Sequence, residues 1–114
     1  MNEIGANDSL RVSIDDAGVV VAAGDVDLAG GPLLEAAILQ REDHQAIVID
    51  LSAVEFIDSS GLRSLLGASR RAHERNTEVV LRDPSPEVRR LLEITGTESQ
   101  FRIEATPSAP GSPT

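Results

Sequence analysis

Apolar and polar residues alternate along "LRVSI" (10–14), the pattern of a short strand with one covered face. "DDAG" (15–18) follows as a turn signal. "VVVAAGDVD" (19–27) is more continuously apolar, which predicts a strand buried on both faces. Two strands this close predict an antiparallel hairpin. In "GGPLLEAAILQRED" (30–43) the period changes: Leu34, Ala37 and Ile38 recur on one helical face, and Pro32 suits a first turn, where its missing N–H costs nothing. "AIVIDL" (46–51) is a third strand, almost wholly apolar. From Leu62 a helix resumes, with Leu62, Leu65, Leu66, Ser69 and Ala72 on one stripe and Ser64, Arg71 and Arg75 opposite. Asn76 closes it, and "EVVLR" (78–82) is a fourth strand. "DPSPEVRRLLEITG" (83–96) marks a helix at both ends: Ser85 caps it, Pro86 opens it, Val88, Leu91 and Leu92 face inward, and Gly96 ends it. "FRIE" (101–104) is a last short strand.

The order β-β-α-β-α-β-α-β predicts an α/β fold: a mixed, mostly parallel sheet with an N-terminal β-hairpin and helices packed against it. Residues 1–9 read as a flexible arm, 10–104 as the domain, and 105–114 ("ATPSAPGSPT") as a low-complexity, disordered tail. Open α/β sheets hold their sites at the carboxyl ends of strands. Two loops qualify, 24–31 and 52–61, and both carry carboxylates.

Composition narrows the function. The 114 residues suit one domain, and 40% hydrophobic content suits a globular one. Ten basic against 19 acidic residues give a net charge of −9. That disfavours nucleic acid and anionic membranes, and points to a partner with a basic face. No cysteine is present, which removes disulfides and zinc–thiolate sites. Phe56 and Phe101 are the only aromatics, so no base-stacking platform exists. The polar start "MNEIGANDSL" has no signal-peptide core, and no apolar run approaches the ~18 residues of a membrane span. A soluble cytoplasmic protein without a cofactor is expected.

The candidate chemistry sits in "VIDLSAVEFIDSSGLRSLL" (48–66), where Asp58-Ser59-Ser60-Gly61 joins strand to helix. Asp58 as helix cap, with the serines in the first turn, is sufficient to explain these residue types. A nucleophile elbow is a poor match, because Ile57 stands where the first glycine belongs. His73, placed near the apolar face of the following helix, is a packed or half-exposed residue rather than a base. No Gly-Lys-Ser/Thr phosphate loop exists. A cation among Asp25, Asp27 and Asp58 is conceivable, but separate capping or solvated carboxylates account for them better. A covalent switch also fits: a serine at a helix N-terminus is exposed, and a phosphate there is tolerated by the fold.

The stretch "IVIDLSAVEFIDSSGLRSLL" resembles the signature of STAS domains, in particular the bacterial anti-sigma factor antagonists. "GDVDLAGGPLL" (24–34) is similar to their first-loop pattern, and "SPEVRRLLEITG" to their third helix, so the likeness runs from about Arg11 to Ile103. The resemblance implies binding rather than catalysis. It implies as partners an anti-sigma factor that is itself a GHKL-type serine kinase, and a phosphatase that resets the switch. Ser59 maps to the phosphorylated serine, and Asp27 to the first-loop aspartate near it. Asp25, Asp58, Ser60, Gly61 and Arg63 fall around them as partner-binding positions. Asp25 replaces the usual glutamate, and Gly30-Gly31 a more polar helix start. The alternatives are a STAS scaffold or sensor module without a kinase cycle, and a small-ligand or nucleotide-binding module.

Overall fold

The computed structural model describes residues 2–41 and 46–106. Six strands form one sheet in the order β1-β2-β3-β4-β5-β6: Asn2–Ala6, Leu10–Ile14, Val20–Val26, Ala46–Ile57, Glu78–Arg82 and Arg102–Glu104. The helices are α1 (Gly31–Gln40), α2 (Ser59–Glu74) and α3 (Pro86–Thr95), with a 3-10 turn over Glu98–Gln100. β1, β2 and β3 are antiparallel neighbours, while β3 to β6 run parallel. The parallel strands advance in one direction across the sheet, so crossovers of the usual right hand carry the helices to one face. This is the mixed α/β architecture expected.

Alternation explains the core. Val20, Ala22 and Val26 of β3 are buried together with Ile47, Ile49 and Leu51 of β4 and Leu81 of β5. Leu34 and Ile38 of α1, Leu62 and Leu65 of α2, and Val88 and Leu92 of α3 complete one continuous cluster. The intervening residues Val21, Ala23, Val48 and Asp50 are half-covered. β3 is therefore fully buried on one face only, not on both, because the helices cover a single side of the sheet. Salt bridges Arg82–Glu104 (3.5 Å) and Arg102–Glu78 (3.1 Å) connect β5 and β6 through partly exposed side chains.

Residues 2–6 are not a loose arm. They pair with β2 from Asn2–Ile14 to Ala6–Arg11, with a bulge between Glu3 and Gly5. The Asn7 side chain organises the turn by accepting from the backbone N–H groups of Ser9 (2.8 Å) and Leu10 (2.7 Å). Ile4 packs on the core. Gly5 passes beneath Leu33 of α1, where an added Cβ would lie 3.0 Å from Leu33 Cδ2.

At the other end, Thr106 is tied to Asp83, whose Oδ1 accepts from the Thr106 N–H (2.7 Å) and whose Oδ2 accepts from its hydroxyl. The beginning of the predicted tail is thus attached, and residues 107–114 of it lie outside those described. So does His44. The caps of α3 form as read: Ser85 Oγ accepts from the Val88 N–H, and Gly96 is left-handed at φ 69°.

Candidate functional site

The site is built where β4 ends. β4 does not stop at Leu51 but runs to Ile57, so most of the predicted 52–61 loop is strand. Its pairing with β3 shifts twice, between Val21 and Ala23 and between Gly24 and Asp25. These bulges break the alternation and turn successive side chains outward. Ile57 returns to the core opposite Val26, while Phe56, opposite Asp25, is left 48% exposed.

A single residue, Asp58, then separates strand from helix. Its backbone is extended (φ −112°, ψ −174°), and its Oδ1 accepts from the N–H groups of Ser60 (2.8 Å) and Gly61 (3.1 Å). Two of the orphan donors at the start of α2 are satisfied this way. The Asp58 N–H donates to the Val26 carbonyl (3.3 Å), which fastens the turn to the end of β3. Gly61 sits hard against that strand: a Cβ there would lie 2.5 Å from Val26 O and 2.7 Å from Val26 Cγ1. The glycine is required by close approach, since no side chain fits.

Ser59, the first residue of α2, is exposed, and its hydroxyl makes no hydrogen bond to any described residue. Ser60 is half-buried and looks into a groove between α1 and α2 that also holds Glu35, Arg63, Ser64 and Arg70. Arg63 is exposed, one helical turn beyond Ser59. The two serines are therefore not equivalent, and Ser59 is the more exposed.

The β3–α1 segment forms the opposing wall. Asp25 belongs to β3, half-buried beside Phe56. Asp27 Oδ1 accepts from the N–H groups of Ala29 (3.1 Å) and Gly30 (2.8 Å), so this carboxylate shapes its own turn and makes no hydrogen bond to Ser59. Gly30 and Gly31 are both closely packed. A Cβ on Gly30 would meet Asp25 O at 2.7 Å, and one on Gly31 would approach Ser64 Oγ at 3.2 Å. They let α1 start close against β3 and α2. Leu28, at the tip, is 78% exposed.

The sequence marks neither Leu28 nor Phe56 as a contact position. Each looked like an ordinary apolar residue of its run, and only the bulges and the tight turn push them into solvent. His73, read as lying near the apolar face of α2, is exposed on the outer face. Among the described residues, no three His, Asp or Glu side chains come together as a metal-binding group. No described helix is long and apolar enough to cross a membrane.

The carboxyl edge of the parallel strands in this mixed sheet thus presents an exposed serine, flanking carboxylates and two exposed apolar side chains. The STAS domain family matches residues 10–109, and the chain belongs to that family. It is 36% identical over 106 residues to the anti-sigma-F factor antagonist RsfB of Mycobacterium tuberculosis, covering 89% of this chain and 86% of the relative. The crystal structure of an anti-sigma factor antagonist from Mycobacterium paratuberculosis superposes with a TM-score of 0.72 at 34% identity, over 90% of this chain and 91% of that one. The Bacillus cell-fate determinant SpoIIAA in its phosphorylated form shares the fold, with a TM-score of 0.63 at 20% identity, over 88% of this chain and 93% of that one.

Proposed function

We propose that this protein is an anti-sigma factor antagonist, which binds an anti-sigma factor and so releases the sigma factor that the latter holds. The partner is a serine kinase of the GHKL type, and phosphorylation of Ser59 ends the interaction until a phosphatase removes the group. The observation that carries the reading is the state of Ser59: exposed, without a hydrogen-bond partner among the described residues, and at the first position of a sixteen-residue helix. A hydroxyl so placed reaches a kinase site without unfolding. Its phosphate would lie at the positive end of the helix dipole. Relatives named as anti-sigma factor antagonists support the partner class.

Around the serine, each residue has a part in this reading. Phe56 and Leu28 supply exposed apolar surface for the contact. Asp25 and Asp27 face the partner from the β3–α1 side, and Asp58 and Gly61 hold the helix start in position. Ser60, turned toward the α1–α2 groove, is not the acceptor, and Arg63 lies in the contact region. A phosphate adds about −1.5 to −2 charges at pH 7. One such charge facing a partner carboxylate at ~5 Å, with an effective dielectric of ~20, costs about 3 kcal/mol, or roughly a hundredfold in affinity.

The test begins with affinity capture on the Ser59→Ala protein, followed by purification of the recovered anti-sigma factor. Incubation with ATP and site mapping by mass spectrometry should place phosphate on Ser59 in the wild type and in Ser60→Ala. Ser59→Ala should bind constitutively, and Ser59→Asp weakly. Phosphate found only on Ser60, or equal affinity of the modified and unmodified proteins, would sink the switch.

A further inference from the structure

The net charge of −9 points to a basic partner, yet the helix that carries Ser59 has the opposite sign. α2 holds Arg63, Arg70 and Arg71 against a single acid, Glu74, a local charge of +2 with histidine neutral. The rest of the chain holds seven basic and eighteen acidic residues, or −11. At 100° per residue, Ser59, Arg63, Leu66, Arg70 and His73 fall on one stripe, and all are exposed except the half-buried Leu66. Arg63 and Arg70 are two turns apart, about 10 Å along the axis.

Neither Arg63 nor Arg70 forms an ion pair or hydrogen bond with a described residue, although the chain has nineteen acids to offer. Shallow grooves run on both sides of the stripe. One of about 210 Å³ lies toward α1, and one of about 500 Å³ lies toward the 3-10 turn at Gln100, with Arg70 bordering both.

We propose that the α2 stripe is a docking surface for an acidic segment of the partner, held by Arg63 and Arg70 across the half-exposed Leu66. The identity of the partner as an anti-sigma factor rests on the reading above; the charge and course of its docking segment are the new content. The acidic remainder of the molecule repels such a segment, and the stripe attracts it. The pair of fields therefore fixes orientation as well as affinity. The same geometry adds a second route to the switch. Ser59 and Arg63 are four residues apart, so a phosphate on Ser59 competes for the Arg63 guanidinium that the acidic segment would use.

The experiment is a calorimetric titration of the purified anti-sigma factor into the full-length chain at low and high salt. The variants are Arg70→Glu, Arg70→Gln and Arg63→Glu, with Glu93→Arg on the exposed side of α3 as control. Circular dichroism confirms that each is folded, which the exposure of these side chains favours. Arg70→Glu and Arg63→Glu should weaken binding roughly tenfold or more at low salt, Arg70→Gln less, and the differences should shrink as salt screens them. Glu93→Arg should bind like the wild type. Wild-type affinity in Arg70→Glu and Arg63→Glu would overturn the docking surface while leaving the antagonist reading intact. Loss of self-association on these changes, with partner affinity unmoved, would assign the stripe to a second copy and overturn it equally. Failure of wild type and Ser59→Ala alike to bind any anti-sigma factor would instead overturn the antagonist reading, and this proposal with it.

Discussion

Asp58 and Gly61 hold the Ser59 turn by two different means, and they can be separated by mutation. Asp58 acts through hydrogen bonds to two N–H groups, so Asp58→Ala should cost about 1 kcal/mol. Asp58→Asn keeps an accepting oxygen and should cost less. Gly61 acts through absence of volume: its missing Cβ leaves room for Val26 O, a backbone atom that cannot swing aside. Gly61→Ala should therefore cost about 1–3 kcal/mol, and chemical denaturation of each variant measures both. A Gly61→Ala protein as stable as wild type would show that β3 and α2 separate easily here. The capping aspartate was legible in the sequence because cap chemistry is local. The steric role of Gly61 was not, since the atom it avoids belongs to another strand. Leu28 and Phe56 were missed for the same reason: exposure is decided by the bulged β3–β4 register, which no single run of residues encodes.

Elements with strong local signals are legible in the sequence, and those stabilised from outside are not. α3 has a capping serine, a proline at its start and a left-handed glycine at its end, all visible in one fourteen-residue stretch. β1 has none of these. "NEIGA" has one large apolar residue and no alternation to mark a strand, and it becomes one because β2 offers an open edge and α1 covers it. The second half of β4 escaped because bulges destroy the period of two on which strand reading depends.

The C-terminal end of β6 makes a comparable non-local contact. Asp83 adopts a left-handed backbone (φ 48°) and accepts two hydrogen bonds from Thr106. The Thr106 hydroxyl, then its N–H, and more weakly the charges of Arg82 and Arg89, hold the Asp83 carboxyl below its ordinary value of 3.8. A carboxyl lowered by folding contributes stability above its unfolded pKa, and the contribution is lost as pH falls through the folded one. The contact should therefore be complete at neutral pH and disappear only below about pH 4. Thr106→Val removes the larger cause and should move the Asp83 titration upward, read from its carboxyl carbon shift by NMR. An unmoved titration would show that the hydroxyl does not hold the carboxylate in solution.

At the scale of the whole molecule, a switch must change recognition without disturbing the core, and the architecture separates the two. The core is one aliphatic cluster between sheet and helices, with Ile49, Leu51 and Leu65 fully buried. Ser59 lies outside it, and its first-turn position places added negative charge where the helix dipole favours it by about 0.3–1 kcal/mol. Against this stands the general repulsion of an already acidic chain, which grows as −9 becomes more negative. The two effects oppose each other and are each small. The phosphorylated protein should melt within about 5 °C of the unmodified one, since ~1 kcal/mol moves a domain of this size by roughly that much. Added salt screens both effects, so it should bring the two melting temperatures closer together. Over the same range of modification, affinity for the anti-sigma factor should fall by roughly a hundredfold. Calorimetric melting of both forms at two salt concentrations, beside the binding titration, measures the separation directly. A drop of ten degrees or more on phosphorylation would mean that the phosphate acts by loosening the α2–β3 junction, and that recognition and folding are coupled at Ser59.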